Sequence, residues 1–287
     1  MAEASAYNAV MTINDDYIAL AQKLLDAIPV PAVSGIHLPS SSQSDEKKDE
    51  FGFVFLDDGS AGPFYVSLDD TLDGLHSRLD REGLPAPSRL PDLLMQQTLA
   101  ERALGIGLFN ALSASLMRRA GFQPQHATTD TGAGEPRAGE TVGMVGYFCP
   151  LVDKLLARGC RVLVLERQPE RVAPQEGVAV STNPADLADC ETILCTAATL
   201  VNDSLDELLA AAGAVRSFSL IGPTASGLPD VLFEHGVTAT GGVFFPDRSA
   251  LEKKLAAGES WGKAGEKFQL TPANYPGFDA LVAAARR

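Results

Sequence analysis

Residues 141–167, TVGMVGYFCPLVDKLLARGCRVLVLER, constrain the fold more than any other stretch of this chain. An apolar run, a turn with glycine, a helical pattern and a second apolar run that ends in an acid follow one another there. This order predicts strand, turn, helix and strand, the βαβ unit with which a parallel sheet begins. We therefore expect an α/β fold in the C-terminal half.

Apolar runs rich in Val, Ile and Leu continue to alternate with helical patterns from there to the C-terminus. Runs of this kind are typical of strands that are covered on both faces, which is the situation in a parallel sheet. The spacing predicts about six strands. Residues 141–287 are therefore predicted to form a Rossmann-like, doubly wound parallel sheet.

The N-terminal part has a different pattern. A helix is predicted over residues 15–28, a strand over 32–38, and a hairpin over 51–56 and 64–68 around the turn sequence DDGSAGP. Residues 40–50, which are polar and charged, are predicted to be an exposed loop. With a long helix over 92–120, these elements predict a small α+β domain over residues 1–125. Residues 126–140 lack apolar periodicity and are predicted to link the two domains.

The second half of the predicted helix 92–120 is apolar nearly all round, which indicates burial between layers or domains. Gly105 and Gly107 each cost a helix about 1 kcal/mol relative to alanine, so they indicate close approach by another backbone or a ligand. Asn110 lies in the same segment. A buried amide needs hydrogen-bond partners, and this one either ties the helix to a loop or faces a ligand.

Charge and composition exclude some classes of function. The formal net charge is −14, without a Lys/Arg cluster, and this disfavours nucleic acid as a partner. The sequence has no run of about 18 apolar residues and no signal-peptide pattern at its N-terminus, so we expect no membrane span and a cytoplasmic protein. The four cysteines have no zinc-module spacing and are expected to be free thiols.

The first predicted turn carries Gly143 and Gly146, three residues apart, where a dinucleotide fold has GxGxxG. This turn is either an anion or nucleotide cradle or merely structural. Glu166 ends the second predicted strand, at the place where such folds hold ribose hydroxyls with an acid. It is either a ligand-binding acid or a surface carboxylate.

Polar side chains also follow two later strands. Thr196, Thr199 and Asn202 come after the strand ETILC, where they offer hydroxyl and amide groups to a ligand. The alternative is that Asn202 or Ser204 caps the helix SLDELLAAAG. Gly222, Pro223 and Thr224 follow the strand SFSLI and offer backbone amides and a hydroxyl to an anion. In open parallel sheets, ligands bind at these carboxyl ends of the strands. The sequence shows no HExxH, Walker or GxSxG motif.

Taken in order, the segments GLFNALS, VGMVGYF, VLVLER, CTAATLVNDSLDELL, LIGPTASGLPDVLFEHG and GGVFF resemble the DUF364 family of bacterial and archaeal proteins, described as "putative heavy-metal chelation". The resemblance runs from about residue 92 to the C-terminus. It implies an N-terminal domain similar to that of enolase, a Rossmann-like domain, and a site in the cleft between them. Carried onto this sequence, the cleft would involve Asn110, Gly143, Tyr147, Phe148, Glu166, Thr196, Thr199, Asn202, Gly222, Pro223 and Thr224.

These observations predict a small-molecule binding protein or enzyme with its ligand in the interdomain cleft. The ligand would be nucleotide-like or a metal chelate, and Gly146 belongs to the same predicted wall as Tyr147 and Phe148. No reaction is predicted. The first alternative is a metal-handling protein that binds a divalent metal, which the acidic charge and the family description favour. The second is a non-catalytic module that forms a homo-oligomer or binds a partner, with the apolar helix at its interface.

Overall fold

The computed structural model describes residues 11–40, 50–127 and 136–287. These residues form a three-stranded antiparallel sheet and a seven-stranded, mostly parallel sheet, with helices around and between them. The mixed α/β class predicted from the sequence is therefore confirmed. Most of the predicted loop 40–50 and the middle of the predicted linker 126–140 lie outside the described residues.

The small sheet has the order β1 (Val33–His37), β2 (Phe51–Leu56) and β3 (Ala61–Tyr65). Helix α1 (Ile13–Ala27) precedes it and begins with a capping box, in which the Thr12 side chain accepts from Asp15 N–H while the Asp15 carboxylate accepts from Thr12 N–H. The predicted first helix, first strand and hairpin are confirmed, but β3 begins three residues earlier than predicted. Gly62 and Pro63, which resemble turn residues in sequence, lie within the strand.

Three further helices follow this sheet, namely α2 (Thr71–Glu82), α3 (Leu90–Met95) and α4 (Leu99–Arg119). The single long helix predicted over residues 92–120 is wrong. The chain is extended at Gln96, and the Thr98 side chain accepts a hydrogen bond from Glu101 N–H and so starts α4 as a separate helix. Helix α2 was missed altogether, although Leu72 and Leu75 form its buried face.

The large sheet comprises β4 (Thr141–Val145), β5 (Arg161–Leu165), β6 (Val178–Ser181), β7 (Thr192–Thr196), β8 (Ser217–Ile221), β9 (Ala239–Phe244) and β10 (Glu266–Leu270). Its strand order is β10-β9-β8-β7-β4-β5-β6. All neighbouring pairs are parallel except β9 and β10. Strand β10 was not predicted, because EKFQL alternates polar and apolar residues at the sheet edge and lacks the continuous apolar run of the central strands.

Helices α5 (Cys149–Ala157), α6 (Leu205–Ala212), α7 (Asp230–Glu234), α8 (Arg248–Ala256) and α9 (Phe278–Ala285) connect or flank these strands. The sheet continues into the predicted linker, because His126 bridges to Phe268 and Ala127 N–H donates to Lys267 O. In the part of the chain that the structure describes, no helix is long and apolar enough to span a membrane.

Helix α4 lies between the two sheets, and most of its side chains are buried on every side. One apolar cluster extends from Leu56 and Phe64 of the small sheet through α4 to Ile193 and Leu220 of the large sheet. The sequence prediction that this segment is buried between layers is confirmed. The carboxyl ends of β4, β5, β7 and β8 point towards the same side of the molecule, where the small sheet covers them.

Contact between α4 and β3 depends on glycine. A Cβ atom on Gly62 would overlap the backbone of Gly107 and Ala111, and one on Gly107 would overlap the Phe64 ring. The close approach predicted from Gly105 and Gly107 is therefore present. Strand β3 approaches Gly107, and α3 approaches Gly105, where a Cβ would lie 3.2 Å from Leu94 N.

Candidate functional site

A cleft of about 830 Å³ lies between the small sheet and the carboxyl ends of four parallel strands. Ten of the twelve residues predicted for the site line it. They are Gly146, Tyr147, Phe148, Glu166, Thr196, Thr199, Asn202, Gly222, Pro223 and Thr224. The remaining two, Gly143 and Asn110, lie elsewhere. The topology of the sheet thus brings together residues that are up to 78 positions apart in the sequence.

The first wall of the cleft is the turn after β4. Gly146 has φ +80°, a left-handed conformation that glycine tolerates, and a Cβ there would lie 3.2 Å from the Thr196 side chain. The turn leads into α5, whose second residue is Pro150, as predicted for a helix start. Within it, the hydrogen bond with the Cys149 thiol raises the pKa of Tyr147. Tyr147 and Phe148 line the cavity.

Gly143 does not belong to this turn, and its predicted place in the cleft is wrong. It lies in the middle of β4, paired with Leu163 and Ile193. A Cβ there would come within 3.1 Å of Cys190 Sγ and of a Leu187 methyl carbon, so close packing on the sheet face accounts for the glycine.

Glu166 forms the second wall, directly after β5. One of its carboxylate oxygens accepts from Gln168 N–H at 3.2 Å. The Arg171 charge lowers the pKa of Tyr65, and the Glu166 charge raises it. The three side chains therefore lie near one another. Burial is the main cause that raises the pKa of Tyr65, and Glu50, whose carboxylate accepts from the Tyr65 hydroxyl at 3.3 Å, raises it further.

The third wall follows β7 and is held by its own polar side chains. Thr199 Oγ1 donates to Thr196 O at 2.7 Å, and Thr196 Oγ1 accepts from Ala198 N–H. Asn202 Oδ1 accepts from both the hydroxyl and the N–H of Ser204, at 2.7 and 3.3 Å. Thr196 caps the 3₁₀ turn that follows β7, but neither Asn202 nor Ser204 caps α6 with its side chain, so the predicted cap of that helix is wrong. Their bonding fixes the shape of the loop that faces the cavity.

A buried arginine fastens this loop to α4. Arg102 Nε donates to Val201 O at 3.2 Å, and its Nη2 lies 2.7 Å from Asp203 Oδ1. Asp203 has φ +59°, an uncommon conformation for a residue with a side chain. Arg102 does not stand out in the sequence, because its partners lie about a hundred residues away and local patterns carry no signal of them.

The fourth wall is the turn after β8. Gly222 has φ +127°, and its N–H donates to Gly241 O. Pro223 and Thr224 then form a single turn of 3₁₀ helix, closed by Ser226 Oγ, which donates to Pro223 O at 2.6 Å. Thr224 is buried, with its carbonyl turned away from the cleft towards α4.

Asn110 lies behind this turn, and its predicted place in the cleft is also wrong. Its Nδ2 donates to Pro63 O at 2.8 Å and to Thr224 O at 2.9 Å. Both amide hydrogens therefore join β3 to the turn after β8, and Asn110 lines a second, smaller cavity beyond that turn. The sequence left two interpretations of Asn110 open. These hydrogen bonds match the structural one, in which the amide ties the helix to a loop.

The small sheet contributes cleft residues that do not stand out in the sequence. Glu50, Phe51 and Tyr65 lie at the end of the hairpin that faces the strand ends, and Arg171 and Arg167 lie opposite them. A polar–aromatic pattern in an ordinary strand carries no local functional signal. Their role in the cleft depends on how the two sheets meet.

The donor set for a bare heavy metal is poor in the described residues, which hold no group of three or more His, Cys, Asp or Glu side chains that could bind one ion. Cys160, Cys190 and Cys195 are buried, and burial raises the pKa of Cys190 to about 11 and of Cys195 to about 12. Metals bind the thiolate, which such thiols rarely form. Cys149 is exposed.

Comparison with known proteins identifies the fold. A DUF364 protein of unknown function from Desulfitobacterium hafniense is 19% identical, with a TM-score of 0.62 over 88% of this chain and 97% of its own. Another, from Pyrococcus horikoshii, is 16% identical, with a TM-score of 0.64 over 91% of this chain and 100% of its own. No curated protein matches the chain.

The family model that matches residues 134–273 is DUF364, described as "Putative heavy-metal chelation". The matched segment contains β4 to β10 and all four strand-end turns of the cleft. That description concerns metal handling or ligand binding and names no specific function. Residues 134–273 are therefore similar to the DUF364 family, and the fold of the chain is similar to that of two solved DUF364 proteins.

Proposed function

We propose that this protein binds a nucleotide-like small molecule in the cleft between the small sheet and the large one. The observation that carries the proposal is the convergence of four strand-end turns on one cavity, at residues 146–148, 166–167, 196–202 and 222–224. Open parallel sheets bind ligands in such positions. The cavity of about 830 Å³ is within the usual range for small-molecule sites.

The chemistry of the walls supports a ligand with an aromatic base. Phe51, Tyr147 and Phe148 line the cavity, and an aromatic ring stacks on bases of any kind. A nucleotide-like ligand also needs a partner for its ribose. Glu166 stands at the end of the second strand of the βαβ unit, where carboxylates accept hydrogen bonds from ribose hydroxyls.

Anion binding is the third requirement. Arg167 and Arg171 line the same cavity, and a guanidinium pairs with phosphate oxygens in a fixed fork geometry. Glu50, Glu166 and Glu207 line it as well, so the cleft combines both signs of charge. That combination suits a zwitterionic or hydroxyl-rich ligand better than a bare polyphosphate.

Thermal shift and calorimetry with AMP, ATP, NAD and S-adenosylmethionine test this proposal. We expect at least one of them to raise Tm and to bind the wild type. Glu166→Gln should weaken that binding about tenfold, because a charge-assisted hydrogen bond is lost. Glu170→Gln is the matched control, since Glu170 is an exposed acid of the same segment outside the cleft. Absence of binding by all four compounds, or equal loss in both variants, would contradict the proposal.

The family description favours metal handling as a second candidate function. Because the described residues offer a poor donor set for a bare ion, a metal would enter the cleft as part of a chelate with an organic ligand. Metal analysis of untagged protein decides between these forms. We expect sub-stoichiometric metal and no stabilisation by Ni²⁺, Co²⁺, Zn²⁺ or Cu²⁺ alone, whereas one tightly bound ion per chain would favour direct chelation.

The oligomeric or partner-binding module draws no support from α4. That hypothesis rested on an apolar helix at an interface, and α4 is buried inside the single chain between its two sheets.

A further inference from the structure

A second cavity, of about 350 Å³, lies on the far side of the turn after β8. It is bounded by the β2–β3 turn, by the C-terminal end of α4 and by the end of β9. Its walls are mainly apolar and aromatic, with Met117, Phe122, Phe244, Phe245 and Phe268 among them. We call it the aromatic pocket. It shares no lining residue with the cleft.

The charge on its walls is unusual for this protein. The chain has a formal net charge of −14, yet the described residues that line the pocket include Arg118 and no aspartate or glutamate. Arg118 lies over the hairpin turn, where Gly59 has φ +89° and a Cβ would come within 3.1 Å of Arg118 Nη1. Because Gly59 has no side chain, the Arg118 guanidinium can lie against the hairpin turn beside the pocket.

The Arg118 charge acts on Asp58, whose oxygens are already engaged. Its Oδ2 accepts from the Ser115 hydroxyl at 2.6 Å, and its Oδ1 accepts from Ser60 N–H at 2.9 Å. Arg118 therefore faces a carboxylate that is satisfied by other donors, and its guanidinium keeps hydrogen-bonding capacity for a ligand.

Ser60 borders the pocket as well, but its hydroxyl oxygen is buried and has no surface open to the cavity. Its side chain interacts with Asp58 and helps to lower the pKa of that carboxyl. Arg118 is therefore the charged group of the pocket wall that can pair with an anion.

We propose that the aromatic pocket binds an aromatic monocarboxylate, with its ring among the phenylalanines and its carboxylate on Arg118. Apolar walls with a few converging polar groups are typical of small-molecule sites, and about 350 Å³ suits a ligand of one or two rings. A single cation selects a single negative charge, and a guanidinium pairs with a carboxylate in a bidentate manner. This site is independent of the function proposed for the cleft.

Calorimetric titration with benzoate, phenylacetate, cinnamate and indole-3-acetate tests the proposal. We expect at least one acid to bind, and its neutral carboxamide to bind about tenfold more weakly, because the charge-assisted pair is lost. Arg118→Gln should reduce affinity for the acid by the same factor. Arg119→Gln is the matched control, because Arg119 is the next residue of α4, is exposed, and does not line the pocket.

A second variant tests whether the acid binds inside the aromatic pocket. Ala114→Leu adds bulk on the helical wall of the pocket and should abolish binding of the acid. If none of the four acids binds at millimolar concentration, if Arg118→Gln and Arg119→Gln behave alike, or if acid and carboxamide bind equally, the proposal is wrong. Binding that survives Ala114→Leu unchanged would contradict it as well.

Discussion

The cleft and the aromatic pocket lie on either side of one wall and differ in almost every property. The cleft is built from loops at four strand ends and carries arginines and glutamates together. The aromatic pocket is built from a helix end, a hairpin turn and an edge of the sheet, and its one charged lining residue among those described is Arg118. Topology therefore accounts for the first cavity, and side-chain packing accounts for the second.

The wall between them consists of β3, the turn after β8 and α4. Gly62 lets β3 lie directly on α4, and Asn110 joins Pro63 O to Thr224 O across that contact. The two cavities can have different chemistry because they share no lining residue across this wall. Changes in the wall should affect both cavities, while changes on one face should affect one.

The largest effect is expected for Gly62→Ala. Its Cβ would overlap backbone atoms of Gly107 and Ala111, so β3 and α4 would have to separate, at a cost of at least about 4 kcal/mol. Urea denaturation measures this loss. Gly35→Ala in the same sheet is the control, because its nearest contact would be Phe55 at 4.0 Å, and a similar loss there would show that close packing at Gly62 is not the cause.

Asn110→Leu should cost about 3 kcal/mol, because two buried carbonyls lose their donor. Both cavities border the affected wall, so affinity for nucleotide and for aromatic acid should fall together. Denaturation and calorimetry on the same sample measure the two effects. Gln22→Leu, an exposed amide on α1, should change stability by less than about 0.5 kcal/mol. Full stability in Asn110→Leu would refute the role of the wall.

These wall residues show what the sequence could and could not predict. Gly107 and Asn110 stood out locally, as a glycine and an amide in an apolar helix, and the sequence predicted that something approaches them. It could not identify β3 and the Thr224 carbonyl as the partners, since those contacts join segments 47 and 114 positions from Asn110. It predicted ten cleft residues because the ends of parallel strands gather on one side whatever the side-chain packing is.

The wrong and missing predictions of site residues have a common physical cause. Gly143 was placed in the turn because glycines attract attention there, whereas its role is to make room for Cys190 and Leu187. Arg171 and Tyr65 were missed because exposed arginines and strand tyrosines are common. Packing between distant segments gave these residues their place, and a local pattern carries no record of it.

Arg102→Met should affect ligand binding in the cleft and leave binding in the aromatic pocket unchanged. The change removes the donor of the buried Val201 carbonyl and should cost about 2 kcal/mol. It also frees the loop that bears Asn202 and Ser204, so nucleotide binding should weaken while aromatic acid binding stays unchanged. Arg81→Met is the control, since Arg81 is exposed on α2 and weakly paired. Equal loss of both ligands would show that the cavities are not independent.

The smallest effect concerns pH on the pocket side. Although burial opposes it, hydrogen bonds from Ser115 and Ser60, helped by Arg118, lower the pKa of Asp58 below its ordinary value of 3.8. A carboxyl whose pKa is lower in the folded state stabilises the fold above pH 3.8 and loses that contribution as pH falls through the folded pKa. The stability difference between wild type and Asp58→Asn should therefore shrink below pH 3.8, as measured by urea denaturation at several pH values. A difference that grows on acidification would contradict this.

A crystal structure with the nucleotide that binds best tests the central claim most directly. We predict its density within the cleft, with the base against Tyr147 or Phe148 and the ribose beside Glu166. Density in the aromatic pocket, or on the surface away from the turns at residues 146–148 and 222–224, would contradict the account of the cleft as the ligand site.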